Sequence, residues 1–392
     1  MRKLSVLVIH NQYQQSAGED AVVRAEVEML RHNGHHVVTF IRSSSDIADF
    51  SLPRKVSLLL STTWDRRVYA ELREVIRKER PDVAHCHNLV PLVSPAAYDA
   101  CHAEGVPVVQ TLHNYRLLCP AGTLFAKGRI CEDCNRGLAR AVARGCYRNS
   151  RLQTAALTLM LSAHRLRGTW SHRVGAYLAL SQFSRDRFVA NGLPGGKIHV
   201  KPNFLARDPG HRTGPGDYAL FVGRLSPEKG VLEMLRAWRH LPHIPLVVVG
   251  DGPLRDEIST LVRKSGSAKI KLLGPLDAAN MQTQMRGARF LVFPSRWYEP
   301  FGLALLEAAA CGVPAIAART GGIPELVADG RTGLLFDPEV PKEFAEKTSW
   351  AWGHPAEMEA MGLAARKLYQ EKFTAERNYE SLMSIYGSLV PN

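Results

Sequence analysis

Two glutamates, Glu299 and Glu307, lie eight positions apart in the run PSRWYEPFGLALLEAAACG, residues 294–312. The apolar stretch Phe290–Pro294 reads as a short buried strand, and Leu303–Cys311 reads as a helix that Gly312 stops. Glu299 then sits in the loop before the helix, and Glu307 about one turn inside it. The backbone amides of Phe301, Gly302 and Leu303 open the helix, and unpaired amides aligned with the helix dipole form an anion site. Two carboxylates for hydroxyls beside an amide cradle for phosphate suit a sugar joined to a nucleoside diphosphate. The helix is apolar nearly all round, which predicts burial, and a buried carboxylate needs partners. The alternative is that Glu307 is an ordinary surface residue.

A second constellation is cationic. Arg224 and Lys229 flank the turn of FVGRLSPEKG, residues 221–230, at a strand–turn–helix junction. Departure of a nucleoside diphosphate builds negative charge on its distal phosphate, and a guanidinium fork with an ammonium aimed there lowers the barrier. A lone lysine at such a place is ordinarily a solvated residue. Gly18 precedes the first helix in QSAGEDA, residues 15–21, where it could bring backbone near phosphate or simply form a turn. Gly274 and Leu276 follow a strand and could frame a nucleotide base through their backbone. No Asp-x-Asp pair occurs in the chain, which with Arg224 and Lys229 favours charge neutralisation by the protein rather than by a catalytic divalent metal.

The Glu-x7-Glu run resembles the signature of retaining glycosyltransferases of family 4, whose commonest form carries Glu-Pro-Phe-Gly. FVGRLSPEKG is similar to that family's phosphate-binding segment, and VGDGPL (249–254) and TGGIPE (320–325) are similar to further landmarks. The resemblance implies a GT-B fold: two doubly wound Rossmann-like domains facing a cleft, with a last helix that crosses back to the first. It implies that Glu299 contacts hydroxyls of the donor sugar, that Glu307 contacts the ribose, and that Arg224 and Lys229 bind the diphosphate. TLHNY, residues 111–115, resembles the segment that places a histidine beside the donor sugar, so His113 joins Glu299, Arg224 and Lys229 as a catalytic candidate. A strand-end histidine is otherwise more often structural. His85 and His87 in AHCHN (84–88) are metal ligands by type, but a structural or acceptor-lining role fits them better. The implied partners are a UDP- or GDP-sugar and a glycan or lipid-linked acceptor.

The elements that must position these residues alternate strongly. Strands are predicted at Leu4–Ile9, Val37–Ile41, Val83–His85, Val106–Thr111 and Tyr177–Leu180. A second series covers Tyr218–Gly223, Leu246–Gly250, Ile270–Leu273, Phe290–Pro294 and Ala315–Ala318. Helices fall between them, among them Asp20–His32, Glu228–Arg239 and Leu254–Lys264. This is the α/β pattern of parallel sheets covered on both faces. A Gly- and Pro-rich break at 204–217 divides residues 1–204 from 205–373. A tail helix at about 374–392 completes the first domain, which carries an insertion at about 114–175.

That insertion is unusual. Of the formal charge of +13, residues 113–187 hold 13 Lys and Arg against 3 Asp and Glu, which points to an anionic partner. Cys119, Cys131, Cys134 and Cys146 have the spacing x11, x2, x11, which suits a structural tetrahedral zinc; labile disulfides or free thiols are the alternatives. Arg136, Arg140, Arg144 and Arg148 recur every four residues, as one stripe on a helix would. An apolar helix, 152–163, and Trp170 follow. Such a set suits either the surface of an anionic membrane or a core helix with a solvated basic face. No stretch reaches the roughly 20 apolar residues of a membrane span, and the amino-terminal run reads as a strand rather than a signal peptide. The expectation is a cytoplasmic chain, peripheral on the inner face of the membrane where the basic surface binds lipid. Two other functions are weaker. A nicotinamide-dependent oxidoreductase needs Gly-x-Gly-x-x-Gly, and Arg255 stands where the third glycine would be. A nucleic-acid binder would interleave aromatics with its cations, and the basic segment does not.

Overall fold

The computed structural model describes residues 2–14 and 18–390. Two compact units divide the chain. Met1–Leu124, Cys131–Ala206 and Ala375–Asn392 form the first; Arg207–Thr374, with Phe125–Ile130, form the second.

The first unit is built on β1 (Ser5–Gln12), β2 (His36–Ser43), β3 (Val83–Cys86) and β4 (Val108–Leu112). β7 (Ala176–Ala179) and β8 (Ile198–Val200) complete its strands; the hairpin of β5 (Phe125–Ala126) and β6 (Arg129–Ile130), between β4 and β7 in the chain, belongs to the second unit. The sheet runs β2-β1-β3-β4-β7-β8, all parallel. Val6, Leu7, Val8 and Ile9 are buried on both faces, as a central strand covered by helices requires. Each such side chain contributes about 1.5–3 kcal/mol by leaving water. The tail helix, Ala375–Leu389, buries Leu382, Met383, Ile385 and Tyr386 in the core of this unit. The Tyr379 hydroxyl bonds His35 at 2.8 Å, and the Asn378 amide donates to the Pro202 carbonyl at 2.7 Å.

The second unit contains β9 (Tyr218–Val222), β10 (Leu246–Val249), β11 (Ile270–Gly274), β12 (Ala288–Phe293), β13 (Ala315–Ala318) and β14 (Gly333–Phe336). Its order is β11-β10-β9-β12-β13-β14, again parallel. Strand order reverses between β9 and β12, and between β1 and β3 in the first unit. In open parallel sheets ligands bind beyond the carboxyl ends of strands at such switch points.

Several expectations need correction. Strands β8 and β14 and the short hairpin were not foreseen. The helix expected at Glu228–Arg239 begins at Val231; Pro227–Lys229 is a separate 3-10 turn, because Gly230 takes the left-handed conformation at φ +69°. The four arginines from 136 to 148 do not share one helix. Arg136 ends a 3-10 turn, Arg140 and Arg144 lie on the helix Ala139–Arg144, and Arg148 has φ +52°. Gly137 and Gly145 interrupt the run. Trp170 is not interfacial: it is buried against Tyr98 and His164.

Candidate functional site

In the second unit the loops after β9 and β12 meet at the switch point. Glu299 is buried there, and its Oε2 accepts three hydrogen bonds. They come from Lys229 Nζ at 2.7 Å, Trp297 Nε1 at 2.8 Å and Ser295 Oγ at 2.9 Å. The ammonium of Lys229 also lies 5.2 Å from the Trp297 ring centre and 5.5 Å from that of Phe293, where the ring faces favour a cation. Every described donor reaches one oxygen, so Oε1 is left as an acceptor, and Lys229 retains donors beyond the one it uses. The main chain is held as tightly. The Gly322 N–H donates to the Glu299 carbonyl at 2.7 Å. A Cβ on Gly321, at φ +59°, would run into the Glu299 backbone, so the loop after β13 can seat Glu299 only with glycine there. A Cβ on Gly230 would likewise meet the Pro294 carbonyl.

Around this centre the other candidates fall at the same strand ends. Arg224 follows β9; it is exposed and has no described side-chain partner. Phe301 is buried and packs edge-on to Phe373 at 5.9 Å, fixing the start of the helix Leu303–Ala310. No described hydrogen bond uses the amides of Phe301, Gly302 or Leu303. Glu307 is half-buried rather than enclosed, and no described partner reaches its carboxyl. Removal from water alone raises its pKa to about 7. Gly274 ends β11 with its carbonyl accepting from the Gly250 N–H at 2.9 Å, and Leu276 is half-buried beyond it. Gly250 and Gly252 serve close backbone packing against the loop 223–225, which accounts for their presence without a dinucleotide.

The first unit gathers histidines at its own switch point. Glu26, on the helix Gly18–His32, meets Lys201 Nζ at 3.1 Å and His85 Nδ1 at 2.8 Å. Burial works to raise the Glu26 carboxyl, but the Lys201 ammonium, with His85 and His87, overcomes it and holds the group well below the usual carboxylate range. His87 Nε2 faces Glu26 Oε1 at 3.4 Å, and its Nδ1 lies 2.9 Å from Nε2 of His113. Burial lowers His87 to about 3 and, with His87 beside it, puts His113 well below its ordinary value; both rings are neutral. Neither His87 Nε2 nor Glu26 Oε1 makes an aligned hydrogen bond among the described residues, and in the His87–His113 contact one imidazole nitrogen donates to the other. His113 lines a small cavity with Asn114, Arg116 and Glu19. Burial lifts Glu19 to about 7, and the Tyr13 hydroxyl donates to it at 2.9 Å.

Glu26, His85 and His87 are also the one set of three ligand atoms, among the described residues, lying within 4.8 Å of one another. The set does not fit a metal. Both His85 nitrogens already bond hydroxyls of Tyr386 and Thr111 at 2.7 Å, and Lys201 already neutralises the carboxylate. Gly18 opens the first helix and is exposed; Gln15, Ser16 and Ala17 lie outside the described residues.

Both halves of the chain match families of sugar-transferring enzymes. "Glycosyl transferases group 1" covers residues 207–368, and "Glycosyltransferase Family 4" covers 18–208. The chain belongs to the GT-B glycosyltransferase superfamily. Glycogen synthase of Mycobacterium tuberculosis is 30% identical over 302 residues, 76% of this chain and 66% of the relative. An uncharacterized glycosyltransferase of Methanocaldococcus jannaschii is 32% identical over 179 residues, 46% of this chain. The chain spans about half that relative's length, 50%. The fold matches Anabaena HepE, solved with UDP, at a TM-score of 0.70 and 17% identity, covering 98% of this chain and 100% of HepE. Among the described residues no helix is long and apolar enough to cross a membrane.

Among the described residues the four clustered cysteines form no disulfide. A hydrogen bond from Cys134 lowers the Cys119 thiol below its ordinary value, and Arg144 donates to Cys131 Sγ at 3.5 Å. No three of these sulfurs, among the described residues, lie within 4.8 Å of one another. Sequence reasoning missed Glu19, Glu26 and Lys201, and it gave no role to Ser295 and Trp297. Ser295 and Trp297 stand just before Glu299 in the quoted run 294–312. Lys201 follows β8, and a strand recognised there would have marked it as a strand-end cation.

Proposed function

We propose that this chain is a retaining glycosyltransferase of family 4. It moves a sugar from a nucleoside-diphosphate sugar to a glycan or lipid-linked acceptor without a catalytic divalent metal. The observation that carries the reading is the Glu299 carboxylate: Oε2 is saturated by Lys229, Trp297 and Ser295, while Oε1 is left to accept a sugar hydroxyl. Lys229, Arg224 and the amides of Phe301–Leu303 supply positive charge for a diphosphate, where leaving-group charge develops. Glu307 offers an unpartnered carboxyl for ribose hydroxyls, and Gly274 with Leu276 offers backbone for a base. His113 and Gly18 are the first unit's candidates for the sugar and the phosphate. HepE, with its bound UDP, favours a UDP-sugar over a GDP-sugar as the first donor to try.

A thermal-shift panel of nucleotide-sugars identifies the donor, since a ligand that binds only the native state raises its melting temperature. Turnover of that donor in excess chelator, with the anomeric configuration of the product read by NMR, then tests mechanism. Inversion, or activity abolished by the chelator, would overturn the corresponding part. The same reading assigns the four cysteines a structural zinc, supported by their spacing and the Cys119–Cys134 contact. Elemental analysis finding less than about half an equivalent of metal refutes that assignment.

A further inference from the structure

We propose that the first unit docks on an anionic lipid surface through two helices that touch, Leu52–Ser61 and Arg151–Leu166. The first is anomalous: it contains five large apolar residues and buries none. Leu52, Val56 and Leu60 recur every four residues along one face. On the second helix Thr154, Leu157, Met160, Leu161 and His164 turn inward, while Leu152, Leu159 and Leu166 recur every seven residues on an outward stripe. These six outward side chains are between 49% and 90% exposed. Single exposed leucines are ordinary, but two adjacent helices that each present an apolar stripe mark a binding surface. The helices are also tied together. His164 Nε2–H donates to the Thr63 carbonyl at 2.8 Å, just past the first helix, while Nδ1 accepts from the Thr169 hydroxyl at 2.8 Å.

Charge decides what covers the patch. Neither helix contains an acidic residue, and Arg54, Lys55, Arg148, Arg151 and Arg167 are exposed on or beside them. A second copy of the chain would bring these cations face to face. Hydrocarbon beneath anionic headgroups satisfies both features at once: the leucines enter the acyl boundary while the cations stay at the headgroups. The helices span 10 and 16 residues, below the roughly 20 a membrane crossing needs, so they lie on the bilayer. This surface keeps the apolar helix expected from sequence, but the Arg136–Arg148 stripe does not form, Trp170 is in the core, and the helix Leu52–Ser61 takes their place. The inference is independent of the transferase reading.

The test is co-sedimentation of the full chain with phosphatidylcholine vesicles, with and without phosphatidylglycerol. The chain is expected to pellet with the anionic vesicles and to be released by high salt. Leu52→Gln with Leu60→Gln, Leu159→Gln and Leu166→Gln should weaken binding by about tenfold or more, because the apolar area that drives insertion is gone. Arg54→Glu with Lys55→Glu should weaken it by about tenfold through charge alone. All these positions are exposed, so melting temperature should hold in both variants. No pelleting of the wild type, or binding that neither variant changes, overturns the proposal. So does a dimer by gel filtration that the leucine variant dissociates while vesicles bind nothing.

Discussion

Each unit pins a carboxylate with a lysine at its switch point, and the two pairs differ in what remains open. Lys201 and Glu26 are 4% and 2% exposed, and the carboxylate is committed inward to His85 and His87. Lys229 and Glu299 are 20% and 7% exposed, and one carboxylate oxygen has no described partner. The first pair is sealed and can only orient its neighbours; His113, two rings away from Glu26, is where its effect emerges. The second sits at the edge of water with acceptor and donor valence unspent. The same ion-pair chemistry is thus enclosed in one unit and half open in the other, and the proposed ligand contact falls to the half-open pair.

The largest expected effect tests the open pair. Glu299→Gln keeps shape and most of the packing but loses the charge that holds Lys229. Turnover of the nucleotide-sugar should fall by about 100-fold or more with melting temperature little changed. A variant that turns over normally would show that the open oxygen contacts nothing in the reaction.

The sealed pair should fail in the opposite way. Lys201→Met leaves a buried carboxylate without its cation, so the native state should lose about 3–5 kcal/mol in denaturant unfolding. Lys201→Met with Glu26→Gln removes both charges and should recover part of that loss. Equal stability of the single variant and the wild type would mean the pair is not enclosed.

The smallest effect sharpens the comparison with a carboxyl that has no lysine at all. Burial raises Glu307 to about 7, so between about pH 4.3 and 7 the native state keeps a proton that the unfolded chain has lost. The stability this contributes is fully present below the unfolded value and is lost as pH rises through the folded one. Glu307→Gln should match the wild type at pH 4 and exceed it at pH 8, without nucleotide, by on the order of 1 kcal/mol after solvent screening. Identical melting curves at both pH values would show that the carboxyl is already ionised in the native state.

Much of this could be read from residue order because glycine and proline punctuate the site loops. Gly230, Gly302 and Gly321 all take positive φ beside it, and each stands inside a segment that marks a strand end. Strand β8 has three residues with an exposed His199 at its centre, so it shows no apolar run, and nothing local marks Lys201 beyond it. The arginine repeat misled in the other direction: spacing every four residues promises a stripe only where helix is continuous, and Gly137 and Gly145 break it. The leucines of the helix Leu52–Ser61 have the composition of a core segment, and only the fold leaves them outside.

Residue order alone determined the alternation of strands and helices, the strand-end loops and the types of group those loops carry. These follow from side-chain periodicity and backbone preference over a few neighbouring residues. Only tertiary structure decided which charges meet: Lys229 finds Glu299 across 70 positions, and Lys201 finds Glu26 across 175. The pairings depend on strand order in the sheets, and strand order is set by long-range burial that no local stretch of the chain contains.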